Sequence, residues 1–462
     1  MRKSLSTLLF FLFMGIATQA QIVTYPVPPQ LYYSRHNDDY TVQVRQAGTK
    51  EWIDLYEYKV LVDTDTRSET SMVQFDCRGK VEVKIRKNNG HIHDVEIRPL
   101  AKNIKPKVKG QIVYFTLDKP EKLSVEFNGD RLHNLHLFAN PLEEEVPVQG
   151  TPGLIYFEPG YHQPDSAVLR IPSHTTVYLA PGAVVKAKLL VDKAEDVRIL
   201  GRGFLDQPQR GIEVTDSKNV SIEGITVLNP IHYTVYGGNA TGLTIRNLKS
   251  FSCHGWADGI DMMCCHDVLV DDVFLRTSDD CIAIYAHRWD YYGGTDRITV
   301  QNSTLWADIA HPINIGGHGD PDSPTGETVE NITLRNIDIL EHDEDDVPYQ
   351  GCMTVDCGDK NFVRNILFED IRVESIQEGQ LFHISVRFNE KYDKQPGRGI
   401  DGVTFRNITY RGYGENPSLI KGLDAGRLVR NVTFDHVRIN GKRMKNLDGF
   451  DTNGFVQNII VK

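Results

Sequence analysis

Three short segments hold the residues best suited to chemistry: Trp256-Ala257-Asp258-Gly259-Ile260-Asp261, Ser278-Asp279-Asp280-Cys281-Ile282-Ala283 and Ala310-His311-Pro312-Ile313-Asn314-Ile315. Asp279 follows Asp258 by 21 residues, and His311 follows Asp280 by 31. If a fold stacks these segments, their carboxylates desolvate and repel one another, so that one keeps its proton while another stays ionised. An acid and a base of that kind are what glycoside hydrolysis requires. A lone aspartate at a bend ordinarily faces solvent or accepts backbone hydrogen bonds. A pair with a third acid before it and a histidine after it goes beyond that pattern.

The elements that must position these residues are short and repeated. An apolar-polar-apolar strand, an Asn or Asp, and a second short strand recur at Val220-Ser221-Ile222, Leu243-Thr244-Ile245, Val268-Leu269-Val270, Ile298-Thr299-Val300, Ile332-Thr333-Leu334, Ile366-Leu367-Phe368, Val403-Thr404-Phe405 and Val432-Thr433-Phe434. The spacing is about 22 to 38 residues with no amphipathic helix between copies, which predicts a parallel β-helix over residues 146–462. One coil brings residues at such intervals to the same face, so Asp258, Asp279 and Asp280 are expected to meet. The recurring Asn suits a bend because it tolerates the left-handed region and bonds local backbone. Asn219, Asn302, Asn331 and Asn431 also match the glycosylation pattern, but coincide with the repeat and are read as turn chemistry.

Residues 21–145 alternate apolar and polar positions in runs such as Tyr40-Thr41-Val42-Gln43-Val44 and Val81-Glu82-Val83-Lys84-Ile85, with Asn89-Gly90 and Gly129-Asp130 as turns. That pattern predicts antiparallel strands in a β-sandwich, expected to pack on the end of the helix and cover its open strand edges. Residues 1–20 carry Arg2 and Lys3, an apolar stretch from Leu8 to Ile16, and Thr18-Gln19-Ala20, the marks of a cleavable secretory leader. The expected location is therefore secreted or periplasmic, with no membrane span. A net charge of -11 disfavours nucleic acid and other polyanions as partners. The seven cysteines leave at least one unpaired in a monomer and show no zinc-type spacing, so no metal and no cofactor is expected. A monomer is expected.

The motifs resemble those of the polygalacturonase-like β-helix glycoside hydrolases. The Asn-Thr-Asp-Gly-x-Asp pattern of that family is similar to Trp256-Ala257-Asp258-Gly259-Ile260-Asp261, its Asp-Asp-Cys-x-Ala to Asp279-Asp280-Cys281-Ile282-Ala283, and its Gly-His-Gly, more loosely, to Ala310-His311-Pro312. The resemblance implies an all-β fold, a right-handed parallel β-helix preceded by a β-sandwich. It further implies Asp279 as general acid, Asp258 and Asp280 activating water with inversion, and His311 in support. The Arg-x-Lys that pectin hydrolases use for the galacturonate carboxylate has no counterpart in Gly351-Cys352-Met353-Thr354-Val355-Asp356. Galacturonan is therefore disfavoured unless Arg387 or Lys360 reaches in from another coil. The N-terminal text, including Asn37-Asp38-Asp39-Tyr40 and His133-Asn134-Leu135-His136, resembles the sandwich of dextranases and isopullulanases and implies a neutral glycan. Asp261, His254, Trp256, Tyr285, His287, Trp289 and His318, with Tyr291, Tyr292 and Tyr349, are the candidates for contacts to a polysaccharide or oligosaccharide, because flat aromatic faces match sugar rings. Pectin-type hydrolysis, a polysaccharide lyase and a non-catalytic glycan-binding helix remain the alternatives.

Overall fold

The computed structural model describes residues 21–347 and 349–462. The leader expected over residues 1–20 lies outside them. The N-terminal strands form two packed sheets. One has Gln21–Val23, Ser68–Arg78, Asp130–Pro141, Glu121–Phe127 and Val95–Arg98 in that order, with Tyr58–Val62 also on Ser68–Arg78. The other runs Ile53–Asp54, Tyr40–Gln46, Val81–Lys87, Ile112–Leu117, Lys107–Lys109. Alternation places Val42, Val44, Val83 and Ile85 of one sheet against Phe75, Val125, Leu135 and Leu137 of the other. Pairing is antiparallel as expected except at the centre, where Asp130–Pro141 lies parallel to Ser68–Arg78.

Beyond residue 150 the chain is a right-handed parallel β-helix. An 11-stranded parallel sheet forms one face, and the other strands of the coils join a single 22-stranded sheet that bends around the rest. Inward positions stack coil on coil: Ile222, Ile245, Val270, Val300, Leu334, Phe368, Phe405 and Phe434 occupy one register. The repeated Asn residues do take left-handed φ, near 55° at Asn219, 54° at Asn302 and 57° at Asn431. Their amides, however, bond the side chain one coil away, as from Asn336 to Asn302 (2.7 Å) and from Asn302 to Asp271 (2.8 Å), instead of local backbone.

The sandwich does not sit on the end of the helix. It lies along the flank, because the outward positions Phe204, Leu228, Phe251, Phe274, Trp306 and Leu340 of successive coils are large and apolar and need cover. Tyr58 meets Phe204 with ring centroids 4.9 Å apart, Phe138 meets Phe274 at 5.0 Å, and His136 meets Phe251 at 4.9 Å. No helix among the described residues is long and apolar enough to cross a membrane.

Candidate active site

The acidic segments fall on neighbouring strands of the 11-stranded sheet. Asp261 lies in Ile260–Met263, Asp279 and Asp280 just precede Ile282–Tyr285, and His311 just precedes Ile313–Ile315, with Asp261, Ala283 and Asn314 in one register. Backbone bonds from Gly259 N to Asp280 O and from Cys281 N to His311 O, both 2.8 Å, fix the approach of the coils. Gly259 has to be glycine, since a Cβ there would strike the Cys281 carbonyl.

Oxygens of Asp258, Asp279 and Asp280 come within 4.8 Å of one another. Such a trio also has the makings of a cation site, each residue offering an oxygen toward the six to eight that Ca²⁺ takes. Asp280 is already fully engaged. Its Oδ1 accepts from His311 Nδ1 at 2.6 Å and from His311 N at 3.1 Å; its Oδ2 accepts from Asn314 Nδ2 at 2.7 Å and the Tyr285 hydroxyl at 3.3 Å. The other nitrogen of His311 donates to the Tyr349 carbonyl at 2.9 Å. Burial alone would push the Asp280 carboxyl up, but the His311 charge and these bonds hold it below its usual range. His311, although buried, is lifted to about 9 by Asp280.

Asp279 has a different environment. It is the member of the cluster that reaches solvent, with Oδ2 accepting from Trp256 N at 2.9 Å and Oδ1 from Asp280 N at 3.0 Å. Desolvation, then the charge of Asp280, raises it to about 7. Asp258 and Asp261 are buried side by side and are pushed well above the carboxylate range, first by burial and then by the neighbouring acids. Asp261 finds no hydrogen-bond donor among the described residues other than the neighbouring Asp258 carboxyl. The cluster therefore holds a charged Asp280–His311 pair beside a poised Asp279, with two acids beneath them whose hold on a proton burial has strengthened.

The other candidates divide. Tyr285 touches Asp280, and His318 packs against Tyr285 at 4.8 Å while accepting from Arg288 Nη1 at 2.7 Å. Trp256 is 71% exposed beside Asp279. Trp289 stacks on Tyr233 at 5.7 Å under the Arg210 guanidinium. His287 instead braces its own hairpin, bonding the Tyr291 carbonyl (2.6 Å) and stacking on Tyr292. His254 follows Cys253, whose thiol meets the Val62 and Asp63 carbonyls, and so sits at the sandwich seam.

Sequence reasoning missed Asn314 as a ligand of Asp280, although its place in the alternating Ile313-Asn314-Ile315 marks it as outward. It also missed Tyr233 and Arg288, which carry no motif. Arg387 does arrive from a later coil: its guanidinium lies over the Tyr349 ring at 4.4 Å, and a Cβ at Gly317 would stand 3.4 Å from Nη2 and 3.8 Å from Tyr285. Lys360 does not, since its Nζ bonds the Ser323 carbonyl.

Among solved structures the chain is similar to Dex49A from Penicillium minioluteum, with a TM-score of 0.67 and 15% identity over 95% of this chain and 96% of that one. It is also similar to the family 28 exopolygalacturonase of Yersinia enterocolitica, with a TM-score of 0.51 and 13% identity over 82% and 96%. At those identities the likeness is one of fold. No curated protein sequence matches the chain. The family model for glycosyl hydrolases family 28 matches residues 189–454, more than half of the 462 residues and all of the acidic cluster, so the chain belongs to glycosyl hydrolases family 28.

Proposed function

We propose that the protein hydrolyses a glycosidic bond with inversion at the carbon attacked, Asp279 serving as the acid. The observation that carries this is the split between two adjacent carboxyls, one poised at about 7 and open to solvent, the other held ionised by His311. Asp279 gives its proton to the glycosidic oxygen as that bond breaks. Asp258 and Asp280 hold the water whose oxygen bonds the anomeric carbon, and Asp280 takes its proton. The nearest oxygens are closer than the ~6.5–9.5 Å that separates most inverting carboxyl pairs, so stereochemistry rests on how each group is held. The four donors on Asp280 make it a poor nucleophile for a covalent ester, and the longest of them, the Tyr285 hydroxyl at 3.3 Å, is the one a water would displace.

One cation, Arg288, favours an acidic sugar over the neutral glycan expected from the sequence. Arg387 and Arg288 lie beside Tyr285 and His318; Arg387 is ion-paired through Nη1 to Asp356 (3.3 Å) and through Nε to Asp393 (3.5 Å), whereas Arg288 Nε finds no hydrogen-bond acceptor among the described residues. A buried guanidinium donor without an acceptor is costly, and a sugar carboxylate would answer the one on Arg288. Export through the leader would bring the enzyme to extracellular polysaccharide. The test is hydrolysis of polygalacturonic acid and of dextran, followed by NMR of the first anomer released, by wild type and Asp279→Asn. We expect cleavage of the acidic polymer, inverted product and loss of turnover in the variant. Unsaturated products would make it a lyase, and retained anomer would make Asp280 or Asp258 a nucleophile.

A further inference from the structure

A polysaccharide enzyme that cuts within chains needs a groove open at both ends, so the side chains lining it must meet solvent. Here the outer face of the 11-stranded sheet is covered on both sides of the acids. Glu213 and Tyr236 on earlier coils are each 4% exposed, and Thr354, Asp356 and His383 on later coils are at most 1% exposed.

The cover toward the earlier coils is the hairpin His287–Arg288 and Tyr291–Tyr292. It folds back so far that a Cβ at Gly238 would stand 2.7 Å from the Tyr291 ring, and Trp289 at its tip stacks on Tyr233. Toward the later coils, Tyr349 and Tyr392 lie with ring centroids 5.8 Å apart, with Arg387 over the former at 4.4 Å. That wall is pinned. Asp359 Oδ1 accepts from Lys394 N (2.7 Å) and Gln395 N (3.0 Å), and Asp393 Oδ2 accepts from Asn389 N (3.0 Å). The side left open is the strand ends, where Asp279 reaches solvent beside Trp256.

We propose that the site is a blind pocket which admits only the non-reducing end of a chain and releases its terminal sugar. This rests on the hydrolase reading with Asp279 as acid. The protonated oxygen belongs to the departing chain, and Asp279 stands at the mouth, so the chain leaves outward. The sugar whose anomeric carbon is attacked lies inside, against Asp258 and Asp280 and within reach of Arg288. Being walled on two sides, it can have no further sugar beyond it, which makes it a terminal residue, in this reading a uronate.

The experiment uses the full-length enzyme on polygalacturonic acid and dextran, and on uronic and neutral oligosaccharides tagged at the reducing end. Reducing ends and viscosity are followed together. The expected result is monosaccharide as the sole small product from the first turnovers, little loss of viscosity per bond cut, and tagged chains that shorten one sugar at a time with the tag retained. Products of mixed length with an early collapse of viscosity would overturn the pocket but leave the hydrolase intact. Release of the tagged sugar itself would place the reducing end inside and overturn the proposed direction. Failure to cleave any of these glycans, with Asp279→Asn indistinguishable from wild type, would overturn both readings.

Discussion

Asp279 and Asp280 share a peptide bond yet titrate on opposite sides of the carboxylate range, because one is desolvated with little compensation and the other is clamped between His311, Asn314 and Tyr285. In the proposed role of acid Asp279 would work in its protonated form, so activity is expected to hold at mildly acidic pH and fall as pH rises through about 7. Asp279→Asn should lower kcat by about 10²–10⁴, measured on whichever polymer the wild type cleaves. The same group bears on stability. Its folded value lies above the unfolded one of 3.8, so the folded state binds the extra proton and loses stability as pH climbs from that value through about 7. The variant should therefore melt higher than wild type at pH 8, by about 1–3 °C more than at pH 5; an offset that does not change with pH would mean Asp279 titrates normally. The acids were legible in the sequence because one coil is a short, local period that any strand-turn-strand text reveals. Arg288, Tyr349 and Arg387 were not legible as a group, because they come from loops of different coils whose shapes depend on contacts distant in the chain.

Coil period also governs the elements. At Asn302, Asn336 and Asn365 the left-handed Asn passes its side-chain amide to the preceding coil, so the repeated residue both relieves backbone strain and ties neighbouring coils together. Asn336 illustrates the double role. It has φ near 52°, donates to Asn302 and accepts from Arg372 Nη2 at 3.0 Å. Asn336→Ala should cost about 1–2 kcal/mol from strain and lost bonds together, read as a lower urea midpoint at unchanged slope, while Asn336→Gly should recover the backbone share. Equal losses in both variants would place the whole effect in the side-chain ladder. Three of the four apparent glycosylation sites fit the same account, since the Nδ2 of Asn219, Asn302 and Asn431 is spent on Asp196, Asp271 and Asp401 of the preceding coil. The strand repeat was readable because inward residues alternate simply, whereas the destination of each Asn amide depends on the coil beside it.

At the scale of the whole molecule, the flank docking joins two sets of sheets into one body, with charge buried at the joint. Arg276 is fully buried on the helix, bonded to both oxygens of Asp308 at 2.9 and 3.0 Å, set over the Trp306 ring at 4.0 Å, and bonded across the seam to Asn134 Oδ1 and the Arg131 carbonyl, both at 3.1 Å. Arg98 crosses the other way, from the sandwich to Glu341 at 2.7 Å and Glu374 at 2.8 Å. None of this was readable beforehand. An outward Phe251 or Trp306 in a helix strand looks like any other apolar position until its partner sheet is known, and a strand with both faces buried loses the alternation that would reveal it. The joint makes a definite forecast. Arg276→Met leaves Asp308 buried without a cation, which should cost about 3–5 kcal/mol, whereas adding Asp308→Leu removes the stranded charge and should restore much of that loss. Calorimetry reads the comparison, and for wild type it should show a single transition, because neither set of sheets can melt while the other keeps its apolar face covered. Two separated transitions, or a double variant no better than the single one, would mean that the seam is held by its aromatic contacts alone and that Arg276 matters only within its own coil.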